Sequence, residues 1–278
     1  MTTVLLTGMP RAGTTLACAL LNEHPDTVAL VEPINVTPHG DRARALKEIE
    51  TFIFETRESL KLTGTAISKH ISGLVPDNSV LSDSVADGAL RPIDVERGPV
   101  KFSKPLTAEF CLVIKHPAIF TALAEDLSDR YPLFAVIRDP LSVLASWQTV
   151  EMNIQHGHMP NAEAFAPSLA VRLAQLHTPL HRQIAIMEWL LRTYLNFPRS
   201  RIIRHEDMLA APRLTLAAIS GFEQEPSKLR RPYAARSRYP SVPLAPLARA
   251  LRPLAPLVSQ FYPNFKATLD QAEYSREA

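Results

Sequence analysis

The sequence has few cysteines and little excess charge of either sign. Its two cysteines, Cys18 and Cys111, each lie among apolar residues, one in a predicted helix and one in a predicted strand. That setting is typical of small buried thiols rather than of a disulfide, and it fits a reducing compartment. The formal net charge of +2 excludes a basic nucleic-acid-binding surface over the whole chain. Any anion site therefore has to be local, and we expect no nucleic-acid partner.

Long hydrophobic runs are absent as well. No segment is apolar over the length of a bilayer span, and the chain opens on a strand pattern rather than on a basic region followed by an apolar one. We therefore expect a cytoplasmic protein without a membrane span. Hydrophobic residues still make up 46% of the 278 residues, which is enough for the buried core of a single domain over residues 1–278.

Short β-branched runs alternate with stretches of helical periodicity along the chain. This pattern predicts an α/β fold, with a mainly parallel central sheet of about five strands flanked by helices. The predicted strands are residues 3–7, 27–31, 110–114, 133–137 and 201–203. The predicted helices are residues 14–22, 41–60, 119–127, 141–151, 170–195 and 214–219, the fifth of them kinked or split at its proline.

Three segments fall outside this alternation. Residues 64–105 are rich in turn-forming residues, and so long a loop in a compact domain is usually functional or mobile. We expect this loop and residues 151–167 to lie on the substrate side. Residues 240–278 have prolines too frequent for one continuous helix, so we expect short helical pieces that wrap the domain.

The first predicted strand leads into a glycine-rich loop. The stretch reads VLLTGMPRAGTT, with Gly8 followed five residues later by Gly13 and with Thr14 where a nucleotide-binding P-loop has its lysine. A strand, a tight loop and a helix in this order direct backbone N–H groups and a helix N-terminus at one anion. Without the lysine, the loop is poorly equipped for a γ-phosphoryl group, which favours transfer of a less charged group.

The loop residues Pro10, Arg11, Ala12, Gly13, Thr14 and Thr15 resemble the PRSGTT loop of the sulfotransferase superfamily, with Ala12 in place of its usual serine. In motif style the chain is most similar to bacterial, carbohydrate and protein-tyrosine sulfotransferases. The resemblance implies a P-loop NTPase-like fold and a loop that holds the 5′-phosphosulfate of 3′-phosphoadenosine 5′-phosphosulfate (PAPS). It also implies sulfuryl transfer to an acceptor hydroxyl without a metal, releasing adenosine 3′,5′-bisphosphate (PAP).

A second motif, LFAVIRDPLSVLASW, runs from a strand into a helix. Asp139 is a suitable N-cap and Pro140 a suitable first helical residue, which puts Arg138 at the end of the strand. Arg138, with Ser146 eight residues later, resembles the family's 3′-phosphate-binding motif. An arginine fork and a helical hydroxyl suit phosphate oxygens.

Two later segments extend the resemblance. The segment RIIRHEDML is similar to a family segment that follows a late strand, and we interpret Glu206 and Asp207 within it as structural. The basic run KLRRPYAARSRYP lies where family members fold over the nucleotide. By that resemblance, Arg236 and Arg238 are candidate contacts of the 3′-phosphate.

Several charged residues follow predicted strands, and the carboxyl ends of parallel strands meet at one edge of a sheet. Lys115 ends an apolar strand, and we assign it, together with Arg11, to the charge that develops on the leaving group. By resemblance to carbohydrate and protein-tyrosine sulfotransferases, Glu32 is our preferred general base. His116 is the alternative, because cytosolic small-molecule sulfotransferases use a histidine near this strand end.

Two other functions stay open on the sequence. One is a P-loop kinase or related phosphotransferase with Asp139 as a metal ligand, and the other is an inactive nucleotide-binding protein. The acceptor is a hydroxyl compound whose class the motifs do not specify, and carbohydrates, phenols, lipids and natural products all fit.

Overall fold

Five parallel strands form the central sheet of the computed structural model, which describes residues 2–35, 40–80, 89–225, 239 and 241–274. The strands in these ranges are β1 (Thr3–Gly8), β2 (Thr27–Val31), β3 (Thr65–His70), β4 (Glu96–Lys101), β5 (Cys111–Lys115), β6 (Leu133–Ile137) and β7 (Ile202–Arg204). The central sheet has the order β2-β5-β1-β6-β7, and each neighbouring pair is parallel. The predicted α/β fold with a parallel sheet of five strands is confirmed.

Helices cover both faces of this sheet. They are α1 (Thr14–Leu21), α2 (Arg42–Thr63), α3 (Pro117–Ala122), α4 (Ala124–Ser128), α5 (Pro140–Trp147), α6 (Pro160–Glu163), α7 (Pro167–Ala174), α8 (Pro179–Leu195), α9 (His205–Ala210) and α10 (Pro212–Ser220), followed near the C-terminus by Leu244–Leu251, Ala255–Val258 and Phe265–Tyr274. Short 3-10 turns lie at Asn153–His156, Arg199–Arg201 and Arg252–Leu254. No helix of the described ranges is long and apolar enough to cross a membrane.

Proline and capping residues explain where several helices begin. The predicted helix 170–195 is split, as its proline predicted, because Pro179 begins α8 behind the N-cap Thr178, whose side chain accepts the N–H of His181. The predicted helix 119–127 is also two helices, which meet at Leu123. Asp139 is the N-cap of α5 and accepts the N–H of Ser142 at 2.7 Å.

Residues 64–105 are not a loop throughout, so that part of the sequence prediction was wrong. β3 and β4 form an antiparallel two-stranded sheet at the two ends of this region. β4 could not be recognised from the sequence because it contains Gly98 and Pro99, and both residue types are rare in strands. Pro99 is tolerated in a sheet with only two strands. Gly98 leaves room for the ring of His70, since a Cβ there would lie 2.8 Å from Nε2 of His70.

The hydrophobic core lies in two layers, one on each face of the sheet. Side chains alternate along β1, so that Leu6 joins one apolar cluster and Leu5 the other. The C-terminal helices pack on the first cluster through Leu247, Leu251 and Phe265. Both cysteines are buried free thiols.

Candidate active site

The loop after β1 has a backbone that only particular residues can adopt. Arg11 has a φ of 69° and Gly13 a φ of 95°, both in the left-handed region. The indole N–H of Trp147 donates to the carbonyl of Pro10 at 2.9 Å and fixes the loop against α5. Gly13 is the N-cap of α1 and offers no side-chain cap, so the N-terminus of this helix is open to an outside acceptor.

Gly13 is required for a second reason. A Cβ on this residue would lie 2.3 Å from Nδ1 of His205, at the start of α9. The imidazole therefore packs against the loop where other residues would carry a side chain. His205 was not singled out from the sequence, and its packing against Gly13 joins two segments that are far apart in the chain.

A cavity of about 450 Å³ opens beside this loop, at the carboxyl ends of the parallel strands. Its walls come from several segments, among them the loop, the strand ends, the hairpin and residues 151–161. The lining includes Pro10, Arg11, Gly13, Thr14, Thr15, Glu32, Lys69, Asn78, Ser79, Ile93, Lys115, His116, Arg138, Met152, Ile154, Met159 and His205. Most of the residues singled out from the sequence thus share one cavity. Ala12 and Ser146 are fully buried beside it and do not line it.

Glu32 forms the centre of a charged cluster. Lys115 Nζ lies 2.6 Å from Glu32 Oε1, and Lys69 Nζ lies 2.5 Å from Oε2. Burial raises the pKa of Glu32, but the positive charges of the two lysines outweigh burial and hold that pKa well below the usual glutamate range. Glu32 also has a φ of 43°, an uncommon conformation for a residue with a side chain, which directs attention to function.

Lys115 connects this cluster to the phosphate loop. The side chain is 3% exposed, and Nζ lies 3.4 Å from Oγ1 of Thr15 as well as close to Glu32. Thr15 in turn lies 3.2 Å from the hydroxyl of Ser79. Lys115 therefore lies between the Glu32 carboxylate and the phosphate loop, where it can also contact an anion bound at the loop.

His116 follows Lys115 and lines the same cavity. Burial lowers the pKa of His116 to about 4, although the negative charge of Glu32 opposes this shift. The imidazole is therefore neutral at neutral pH. Its Nδ1 has no hydrogen-bond partner within the described part of the chain. A neutral, unpartnered ring nitrogen can accept a proton or a hydrogen bond from a ligand.

Arg138 lies at the end of β6, as the sequence predicts, and lines the cavity while only 8% exposed. Among the described residues it makes no side-chain hydrogen bond and no ion pair, although a buried guanidinium is costly without a partner. Ser146 lies near Arg11, with 3.4 Å between its hydroxyl and Nε of Arg11. Arg11 also donates to Oδ1 of Asn78 at 3.0 Å.

Several polar cavity residues were not singled out from the sequence, among them Lys69, Asn78 and Ser79. These three belong to the region interpreted as one loop. The alternating segment before the first turn formers, TAISKH, was the signal that a strand there would carry Lys69. Arg236 and Arg238 lie outside the described residues. No group of three or more His, Cys, Asp or Glu side chains within those residues is placed to hold a metal ion.

Comparisons with known proteins return sulfotransferases among solved structures. A sulfotransferase from Alicyclobacillus acidocaldarius shares 16% identity over 91% of this chain and 95% of its own, with a TM-score of 0.38. The sulfotransferase domain of the Synechococcus PCC 7002 olefin synthase shares 16% identity over 81% of this chain and 74% of its own, with a TM-score of 0.37. At these values the likeness carries no functional argument. No family model matches the chain, and no curated protein does.

Proposed function

We propose that the protein is a sulfotransferase that moves a sulfuryl group from PAPS to an acceptor hydroxyl and releases PAP. The observation that carries this proposal is Arg138, a buried guanidinium without a described partner, in the cavity that the phosphate loop also lines. A permanent cation that faces a cavity from a buried position is a favourable partner for an anion bound there. PAPS carries a phosphate at the 3′ position of its ribose and a phosphosulfate at the 5′ position. One anion can therefore bind Arg138 while the other binds the loop.

The donor contacts follow from this arrangement. The N-terminus of α1, with Gly13, Thr14 and Thr15, would hold the 5′-phosphosulfate through backbone N–H groups and the Thr15 hydroxyl. Arg138 would bind the 3′-phosphate. Ser146 lies beside Arg11 and would orient Arg11 toward the same donor.

The transfer step requires a base and a cation. An oxygen–sulfur bond forms between the acceptor and the sulfuryl group as the bond from sulfur to the bridging oxygen breaks, and the hydroxyl proton moves to Glu32. Lys115, within reach of Thr15, would stabilise the negative charge on the bridging oxygen together with Arg11. Movement of Lys115 toward the donor would also raise the pKa of Glu32 and make it a stronger base.

His116 is the second candidate for the base, because its neutral ring lines the same cavity. The two candidates differ in the result expected from conservative variants. If Glu32 is the base, Glu32→Gln lowers kcat by about 100-fold or more and keeps PAP binding, while His116→Asn lowers it much less. The reverse order of effects assigns the base to His116.

The proposal is tested by following PAP formation from PAPS in EDTA with a panel of alkyl, aryl and sugar alcohols. Transfer that continues in EDTA supports a sulfotransferase. Transfer of phosphate from ATP that requires magnesium supports a phosphotransferase instead. Tight PAP binding with no transfer to any acceptor supports an inactive nucleotide-binding protein.

A further inference from the structure

Two lysines from different sheets hold the Glu32 carboxylate from opposite oxygens. Lys115 comes from β5 of the central sheet and contacts Oε1, while Lys69 comes from β3 of the hairpin and contacts Oε2. Both lysines line the cavity. Lys69 is the more accessible of the two, with about a third of its side chain exposed.

The two lysines have different surroundings. Lys115 also reaches Thr15 on the phosphate loop at 3.4 Å, so a donor anion bound there would compete with Glu32 for it. The described contacts of Lys69 include Glu32 and no residue of the loop. A bound donor would therefore weaken the first ion pair and leave the second in place.

The hairpin of β3 and β4 is hydrogen-bonded to Val31 and Pro33, the residues before and after Glu32. The hydroxyl of Ser68, next to Lys69, accepts the N–H of Val31 at 2.9 Å. Arg97, which is opposite Lys69 in the hairpin register, donates to the carbonyl of Pro33 at 3.2 Å. These contacts fix the strand that carries Lys69 against the segment that carries Glu32.

We propose that Lys69 is a positioning residue for the base, holding Glu32 ionised and oriented when Lys115 turns to the donor. This role rests on the proposed function, in which Glu32 takes the acceptor proton. It also gives the hairpin a function. Of the two lysines, the hairpin carries the one whose contact with Glu32 does not compete with an anion bound at the loop.

Within the described ranges, the other titratable groups that interact with Glu32 are His116 and Cys18. Burial lowers the pKa of His116 to about 4, and burial raises the pKa of Cys18 to about 12, so both are uncharged near neutral pH. The positive charge around Glu32 therefore comes from Lys69 and Lys115. Removal of Lys69 has to raise the pKa of Glu32, most strongly once Lys115 is engaged elsewhere.

The test is the pH dependence of kcat and of kcat/KM for Lys69→Met and Lys69→Gln. Because the base must be deprotonated, we expect the acid limb to move to higher pH by about one unit or more. Activity then falls more at the acid end of the profile than at pH 8, while PAP affinity stays within about twofold. Lys69→Arg, which keeps the charge, should restore the wild-type limb. Lys101→Met is the matched control, since Lys101 lies in β4 of the same hairpin and does not line the cavity.

The role of Lys69 is overturned if Glu32→Gln inactivates the enzyme but neither Lys69→Met nor Lys69→Gln moves the acid limb of the pH profile. Carbon-13 NMR titration of the Glu32 carboxyl, without donor, measures the same change of pKa independently of turnover. An unchanged Glu32 titration in Lys69→Met also overturns the role. Failure of wild-type protein to bind PAP or transfer sulfuryl groups is a different result and contradicts the proposed function instead.

Discussion

The carboxylate of Glu206 accepts a hydrogen bond from the backbone N–H of Asp139 at 3.0 Å. Asp139 directly follows Arg138, so this bond fixes the turn that presents the guanidinium to the cavity. The other oxygen of Glu206 accepts from the hydroxyl of Tyr262 at 2.9 Å. The C-terminal segment is thereby connected to the predicted 3′-phosphate site through a single carboxylate.

Glu206→Ala should weaken PAP binding about tenfold, because the backbone N–H of Asp139 and the hydroxyl of Tyr262 both lose their acceptor. Adenosine 5′-phosphate should bind with unchanged affinity, since it lacks the 3′-phosphate. Calorimetric titration of both nucleotides measures the difference. Asp270→Asn, which removes an equal charge from the ion pair with Arg252, is the control. Equal losses for both nucleotides would mean that Glu206 acts only on stability.

Gly13→Ala should abolish nucleotide binding and destabilise the fold, because its Cβ meets His205 and its φ is 95°. Gly221→Ala is the matched control, since Gly221 has a φ of 79° with nothing within 4 Å of an added Cβ. The control should lose about 1 kcal/mol of unfolding free energy and keep PAP affinity. Urea unfolding and calorimetry measure the two quantities. Identical behaviour of the two variants would show that the contact with His205 is unimportant.

The low pKa of His116 predicts a pH dependence of stability. The unfolded state takes up a proton near pH 6.5, whereas folded His116 takes one up only near pH 4. The free energy of unfolding should therefore fall as the pH drops from about 6.5 to about 4, by up to about 3 kcal/mol from this residue. The difference between wild type and His116→Asn in urea unfolding isolates this contribution from that of the carboxylates. A difference that is constant across this range would contradict the assignment.

Ile93 predicts a preference for apolar acceptors. It is 46% exposed and lines the cavity together with Met152 and Ile154, so the cavity has an apolar as well as a charged lining. Ile93→Asp should lower kcat/KM for aryl and alkyl alcohols about tenfold or more, because burying the new carboxylate against an apolar substrate is costly. PAP binding should stay unchanged. Ile67→Asp is the control, because Ile67 is 38% exposed and does not line the cavity. A larger loss for sugar acceptors than for apolar ones would refute the preference.

Local patterns predicted the central sheet well, because each strand is a short apolar run between turn formers. All five predicted strands exist, with each boundary within one residue of the observed one. Their order also brings together the residues that follow them, since parallel strands end at one edge. Glu32, Lys115, His116 and Arg138 could therefore be proposed as neighbours from the sequence.

The contacts that complete the site depend on pairs far apart in the chain. Lys69 was missed because the strand that carries it pairs with β4, in which Gly98 and Pro99 argue locally against a strand and so against a hairpin. The bond between Glu206 and Asp139 joins the first turn of α9 to the N-cap of α5, two positions whose approach no spacing encodes. The pairing of Glu32 with two lysines is likewise a result of tertiary structure.

The most direct measurement is calorimetric titration of PAP and of ATP into the wild type and Arg138→Met, each in EDTA and in magnesium. We predict that PAP binds the wild type in the micromolar range or better without metal, that ATP binds much more weakly, and that Arg138→Met loses about 10- to 100-fold in PAP affinity. Tight magnesium-dependent binding of ATP, with PAP affinity indifferent to Arg138, would contradict the assignment of this cavity to PAPS.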